Sequence, residues 1–154
     1  MSIYGENMSL VEEKAKITFL PKFRERAEYK ELIELIEETE KILKENDSKS
    51  IELKIYKVGK NILRITELFE NCLSVAILPF CKTVLGSICY ILSRLYVWCS
   101  KIDRETHFID YTNSCIEKLE KCKRKIDDKE KIKHIDDTIK KLNKMKEKIN
   151  NTKY

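Results

Sequence analysis

The chain has 154 residues, 42% of them hydrophobic and 37% charged, with a formal net charge of +5. That length fits one domain able to bury a real core. Three Gly and two Pro against abundant Lys, Glu and Ile exclude a turn-rich sandwich or barrel and favour helices.

The order of elements follows from apolar spacing. Residues 1–20 have no clear period, and Ile17-Thr18-Phe19-Leu20 reads as a short extended arm. Pro21 is suited to open a helix. Its apolar face would be Phe23, Tyr29, Leu32, Ile33, Ile36 and Leu43. Glu37 with Lys41 and Glu40 with Lys44 are expected as exposed ion pairs four residues apart. This helix should stop at Asn46-Asp47.

Ser48 or Ser50 can cap the next helix, whose apolar positions Ile51, Ile55, Val58, Ile62, Ile65, Phe69, Cys72 and Ala76 advance in steps of four and three. Such a sustained heptad-like seam is expected to pack on another helix, and Ile51, Ile55, Val58, Ile62, Ile65 and Phe69 are the candidate assembly surface. A break is expected near Pro79, the alternative being a kinked continuation.

The most apolar stretch, Cys72 to Cys99, carries only Lys82 and Arg94 as charges. At helical spacing Lys82, Gly86, Tyr90, Arg94 and Lys101 form one polar stripe on a wide apolar cylinder. The buried central helix of a bundle has this pattern, and so does a helix in contact with lipid, which needs about 20 apolar residues to span. A buried Lys82 would require a carboxylate partner, with Glu67 and Glu70 the nearest candidates.

Asp103 is expected to cap a fourth helix with Phe108, Tyr111, Cys115, Leu119, Cys122 and Ile126 on its apolar face. Asp127 with Glu130 fits a capping box that opens a fifth helix on Ile132, Ile135, Ile139, Leu142 and Ile149. The segments 116–126 and 139–149 share both Ile, the Leu and four Lys, as two similar amphipathic helices of a hairpin would. From residue 101 onward 16 Lys and Arg stand against 11 Asp and Glu, a balance of +5 equal to that of the whole chain. Lys121, Lys123, Arg124, Lys125, Lys140, Lys141, Lys144 and Lys148, with Lys146, are the candidate contacts to an anionic surface.

The expected architecture is all-α: a bundle of about five helices forming a single domain. It comprises an N-terminal arm (1–20), core helices (21–100) around an apolar central helix, and a basic C-terminal helical hairpin (101–154). Thr66-Glu-Leu-Phe69, followed by Gly86-Ser-Ile-Cys89 within an apolar helix, is similar to the surroundings of the first homology motif of Bcl-2-type proteins. Leu73-Ser-Val-Ala76 stands where that motif has its Asn-Trp-Gly-Arg core, and that family has no basic hairpin. The resemblance covers about two dozen residues and implies only an apolar helix surrounded by amphipathic ones.

Signatures of catalysis are missing: no phosphate-cradling Gly-rich loop, nucleophile elbow or zinc-protease helix occurs. The two histidines lie in similar frames, Asp103-x-x-x-His107-x-x-Asp110 and Glu130-x-x-x-His134-x-x-Asp137. In a hairpin turning near Asp127 they would be roughly 20 Å apart, too far to share a metal. The six cysteines form no CxxC and read as free thiols of a reducing compartment. The expectation is therefore a cytoplasmic, non-enzymatic helical module, without metal or cofactor, that binds protein or self-assembles. Membrane association through 72–99 and the basic hairpin is the alternative, and nucleic-acid binding through that hairpin is third.

Overall fold

A computed structural model describes residues 27–45 and 50–152, the last three by backbone alone. The expected arm, the Pro21 helix start and the stop at Asn46-Asp47 lie outside the described residues. Among the described residues there are five helices: α1 (Ala27–Lys44), α2 (Ile51–Cys72), α3 (Leu78–Lys101), α4 (Glu105–Lys125) and α5 (Lys129–Thr152). The all-α bundle expected from composition and periodicity is what the chain forms.

Local chemistry sets the helix boundaries. Ser50 Oγ accepts a hydrogen bond from the Glu52 N–H at 3.2 Å and caps α2. Between α2 and α3 the chain breaks before Pro79, which sits in the first turn of α3, where its missing N–H costs nothing. Two expected caps are corrected. Asp103 does not cap α4; with φ of 53° it takes the left-handed position that ends α3, while the Arg104 N–H returns to the Cys99 carbonyl at 2.8 Å. The cap of α5 is Asp128 rather than Asp127, its Oδ1 accepting from the N–H groups of Glu130 (3.0 Å) and Lys131 (3.2 Å).

Two helical hairpins, α2–α3 and α4–α5, dock side by side. α2 lies along α4, α5 lies along both α3 and α4, α3 meets α4 across the short diagonal, and α2 and α5 barely meet. Side-chain pairs fix the directions. Glu52 with Arg104 (3.8 Å), Thr66 Oγ1 with Cys115 Sγ (3.5 Å) and Glu70 with Lys125 (2.7 Å) ascend together, so α2 and α4 run parallel. It follows that α3 and α5 are parallel too. α1 runs antiparallel to α2, held by a two-pronged Arg64–Glu31 pair (2.8 and 3.1 Å) and by Asn61 Nδ2 donating to Thr39 Oγ1.

The core runs through all five helices. Tyr29, Phe69, Phe80 and Phe108 are its largest fully buried side chains, packed with Ile36, Ile62, Ile65, Ile88, Ile91 and Leu142. Tyr29 meets the edge of Phe80 with centroids 5.8 Å apart and donates its O–H to the Cys72 carbonyl at 3.2 Å. Lys131 donates its buried Nζ to the Leu73 carbonyl at 3.1 Å, closing the C-terminal end of α2 from α5.

α3 is the central apolar helix. The stripe read from its sequence is its solvent face: Lys82, Gly86 and Arg94 are exposed and Tyr90 is half-buried. Lys82 is therefore hydrated and needs neither proposed carboxylate, since Glu67 pairs with Arg64 at 3.0 Å and Glu70 with Lys125. Among the described residues α3 alone is long and apolar enough to cross a membrane, and 56% of its most apolar 18-residue window is buried inside the bundle. Glu40 differs from expectation as well. It is only 4% exposed, and neither of its carboxyl oxygens has a hydrogen-bond partner.

Candidate docking surface and cleft on the second helix

The seam of α2 is used up within the chain. Ile55, Val58, Ile62, Ile65 and Phe69 are all buried, and only Ile51 remains at the surface. Heptad spacing predicted a helical partner, and the neighbouring helices of the same chain supply it.

The opposite side of the same helix carries exposed apolar residues. Leu53 is 67% exposed and Tyr56 56%, two large apolar side chains three residues apart. On the α1 side they border a groove of about 500 Å³ lined by Ile42, Glu45, Lys54, Lys57, Lys60 and Asn61. On the α4 side Tyr56 borders a second cleft of about 220 Å³, whose other walls are Glu52, Ile55, Ile102, Arg104, His107 and Tyr111. Tyr56 is thus the ridge between two hollows. The sequence carried a signal for this, two apolar residues out of phase with the seam.

Gly59 shapes the second hollow. A methyl group in place of its hydrogen would lie 2.2 Å from Tyr111 Cζ, so the Tyr111 ring rests directly against the α2 backbone. This projects the phenol across α2 toward Tyr56 and Lys60. The Lys60 ammonium stands over the Tyr56 ring, 5.0 Å from its centroid. Hydrogen bonding to the Tyr56 phenol holds the Lys60 pKa above its ordinary value, with a smaller contribution from Tyr111. Burial, then the neighbouring Tyr56, raises that of Tyr111.

The basic residues expected to contact an anionic surface are dispersed. Lys123 is half-buried between Asp136 (2.6 Å) and Glu120 (3.4 Å), and Lys125 is paired with Glu70. Lys121 and Arg124 are exposed on α4, while Lys140, Lys141, Lys144 and Lys148 follow one another along the exposed side of α5. Beside them α3 carries no acidic residue at all, only Lys82, Arg94 and Lys101.

Five of the six thiols are buried and all six are free. Burial pushes the pKa of Cys81, Cys99 and Cys115 up to about 11 and that of Cys122 to about 12, so these thiols are protonated at neutral pH and poor nucleophiles. Among the described residues no group of three or more His, Cys, Asp or Glu stands where it could hold a metal ion. No family model, curated protein or solved structure matches the chain.

Proposed function

We propose that the chain is a non-enzymatic helical module that works by binding protein, and that the exposed face of α2 pairs with the same face of a second copy. The observation that carries this reading is the exposure of Leu53 and Tyr56 on a helix whose seam is already satisfied. The charges around them are mixed, which suits self-recognition better than a partner of one sign. With a two-fold axis at Tyr56 and the helices antiparallel, residues equally distant from Tyr56 face each other. Glu52, four residues before it, then meets the second copy's Lys60, four residues after it, and the pair occurs twice.

Light scattering behind size exclusion tests this. At about 100 µM, a concentration at which a micromolar dimer is saturated, the expected mass is twice 18.3 kDa. Tyr56→Asp and Leu53→Asp should each return it to the monomer value. A wild-type chain of monomer mass at that concentration rejects the reading. Six free thiols support a reducing, cytoplasmic setting.

A second reading draws support from the absence of acid on α3 beside the lysines of α5. The intact bundle would attach to anionic membrane through Lys82, Arg94, Lys140, Lys141, Lys144 and Lys148, without inserting α3. Flotation with anionic but not neutral liposomes, reversed by 0.5 M salt, is the expected result. Recovery in the unbound fraction with both liposome types at low salt rejects it.

A further inference from the structure

We propose that the cleft between the first turns of α2 and α4 is a binding site for a terminal phosphate monoester. Four side chains able to donate hydrogen bonds gather there: the Arg104 guanidinium, the His107 imidazole, and the Tyr56 and Tyr111 phenols. One carboxylate, Glu52, opposes them. It stands 3.8 Å from Arg104 Nη2, an ion pair too long for a hydrogen bond, with both side chains more than half exposed. The planar fork of Arg104 is thereby available to a better acceptor.

Helix direction adds to the field. Because α2 and α4 are parallel, both begin at this end of the bundle, α2 at Ile51 and α4 at Glu105. The positive ends of their dipoles are side by side at the cleft mouth. A carboxylate could occupy the Arg104 fork alone. Donors arriving from two helices suit a tetrahedral group carrying close to two negative charges at neutral pH. The volume, about 220 Å³, accommodates the phosphate and the first atoms of its substituent, leaving the remainder against the exposed Tyr56 ring. The phosphate could belong to a small molecule or to the 5′ end of a nucleic acid, since the recognised chemistry is the same.

Tyr56 and Glu52 also belong to the face proposed to pair, so the titration is made on the Leu53→Asp chain, whose substitution lies outside the cleft, and failure of one proposal is distinguishable from failure of the other. The test is a titration of this full chain, isotopically labelled, at constant pH, following the His107 and tyrosine ring resonances. The probes are phenyl phosphate, a 5′-phosphorylated dinucleotide and acetate. Phenyl phosphate should give saturable shifts confined to the cleft, with millimolar or tighter affinity, and acetate at least tenfold weaker binding. Arg104→Ala should weaken phosphate binding at least tenfold. Tyr111→Phe, which keeps the ring over Gly59, should weaken it several-fold, and Lys30→Ala on α1 should leave it unchanged. Tighter binding of the dinucleotide than of phenyl phosphate supports the site with a nucleic-acid end as its source, and equal binding supports it with a small phosphate. No saturable shift with either phosphate, equal binding of acetate, or an unaffected Arg104→Ala overturns the proposal.

Discussion

Glu40 occupies the core-facing side of α1 with neither carboxyl oxygen bonded, and burial lifts its pKa to about 7, Lys44 offsetting only part of the effect. The unfolded carboxyl releases its proton near 4.5, while the folded one holds it until about 7. Stability is therefore greatest below pH 4.5 as far as this group is concerned, falls as the pH rises from there to about 7, and stays reduced above. The penalty at pH 8 is on the order of 3 kcal/mol. Glu40→Met should recover that amount at pH 8 and almost none at pH 4.5, measured by urea unfolding at the two values. Equal gains at both would show that the carboxylate charge is not the cause. Gly59 offers a second residue-scale prediction. Gly59→Ala improves helix propensity by about 1 kcal/mol, yet its methyl would lie 2.2 Å from the Tyr111 ring. A net loss of about 1–3 kcal/mol is expected, and it should disappear in a Tyr111→Ala background, where the same substitution becomes stabilising.

Helix number and type were legible because each apolar period is long and uninterrupted. The stripe of Lys82, Gly86, Tyr90 and Arg94 was legible too, but whether solvent or a neighbour faced it was not. What periodicity could not reveal was the owner of the surface facing each seam. Ile55 to Phe69 has the same spacing whether it packs on a second chain or on α1, α3 and α4, and here the chain packs on itself. Asp103 and Asp128 show a related limit. Three candidate cap residues crowd two short joints, and the choice between capping a helix and ending the previous one depends on a backbone angle that spacing does not encode. Leu53 and Tyr56 stood out of phase in the sequence but gained meaning only once the seam was known to be covered. For α3 the prediction is direct: Ile88→Ala, at a fully buried position, should cost about 2–5 kcal/mol. Arg94→Ala on the exposed stripe should change stability by less than about 0.5 kcal/mol. Chemical denaturation distinguishes these values easily, and a small loss for Ile88→Ala would mean that α3 is not the packed centre.

At the scale of the whole molecule the thiols report whether the bundle opens. Cys89 is half-buried and the other five are enclosed in the core. A thiol reagent at pH 8 should label one cysteine per chain quickly, and Cys89→Ser should abolish that fast phase. The others should follow only at the rate of global or sub-global opening, all six becoming equivalent in denaturant. Rapid labelling of several thiols in the native protein would contradict the packed core.

The parallel alliance of α2 with α4, and of α3 with α5, also dictates an order of events in folding. In a simple meander of helices every large interface joins sequence neighbours and can form early. Here two of the main interfaces join segments some fifty residues apart, so each hairpin must wait for the other before its inner face is covered. The chain should therefore fold more slowly than helical proteins of equal length with local pairing. Its barrier should lie at the docking of preformed hairpins, with substitutions at Thr66 or Cys115 slowing that step while those at the α4–α5 turn do not.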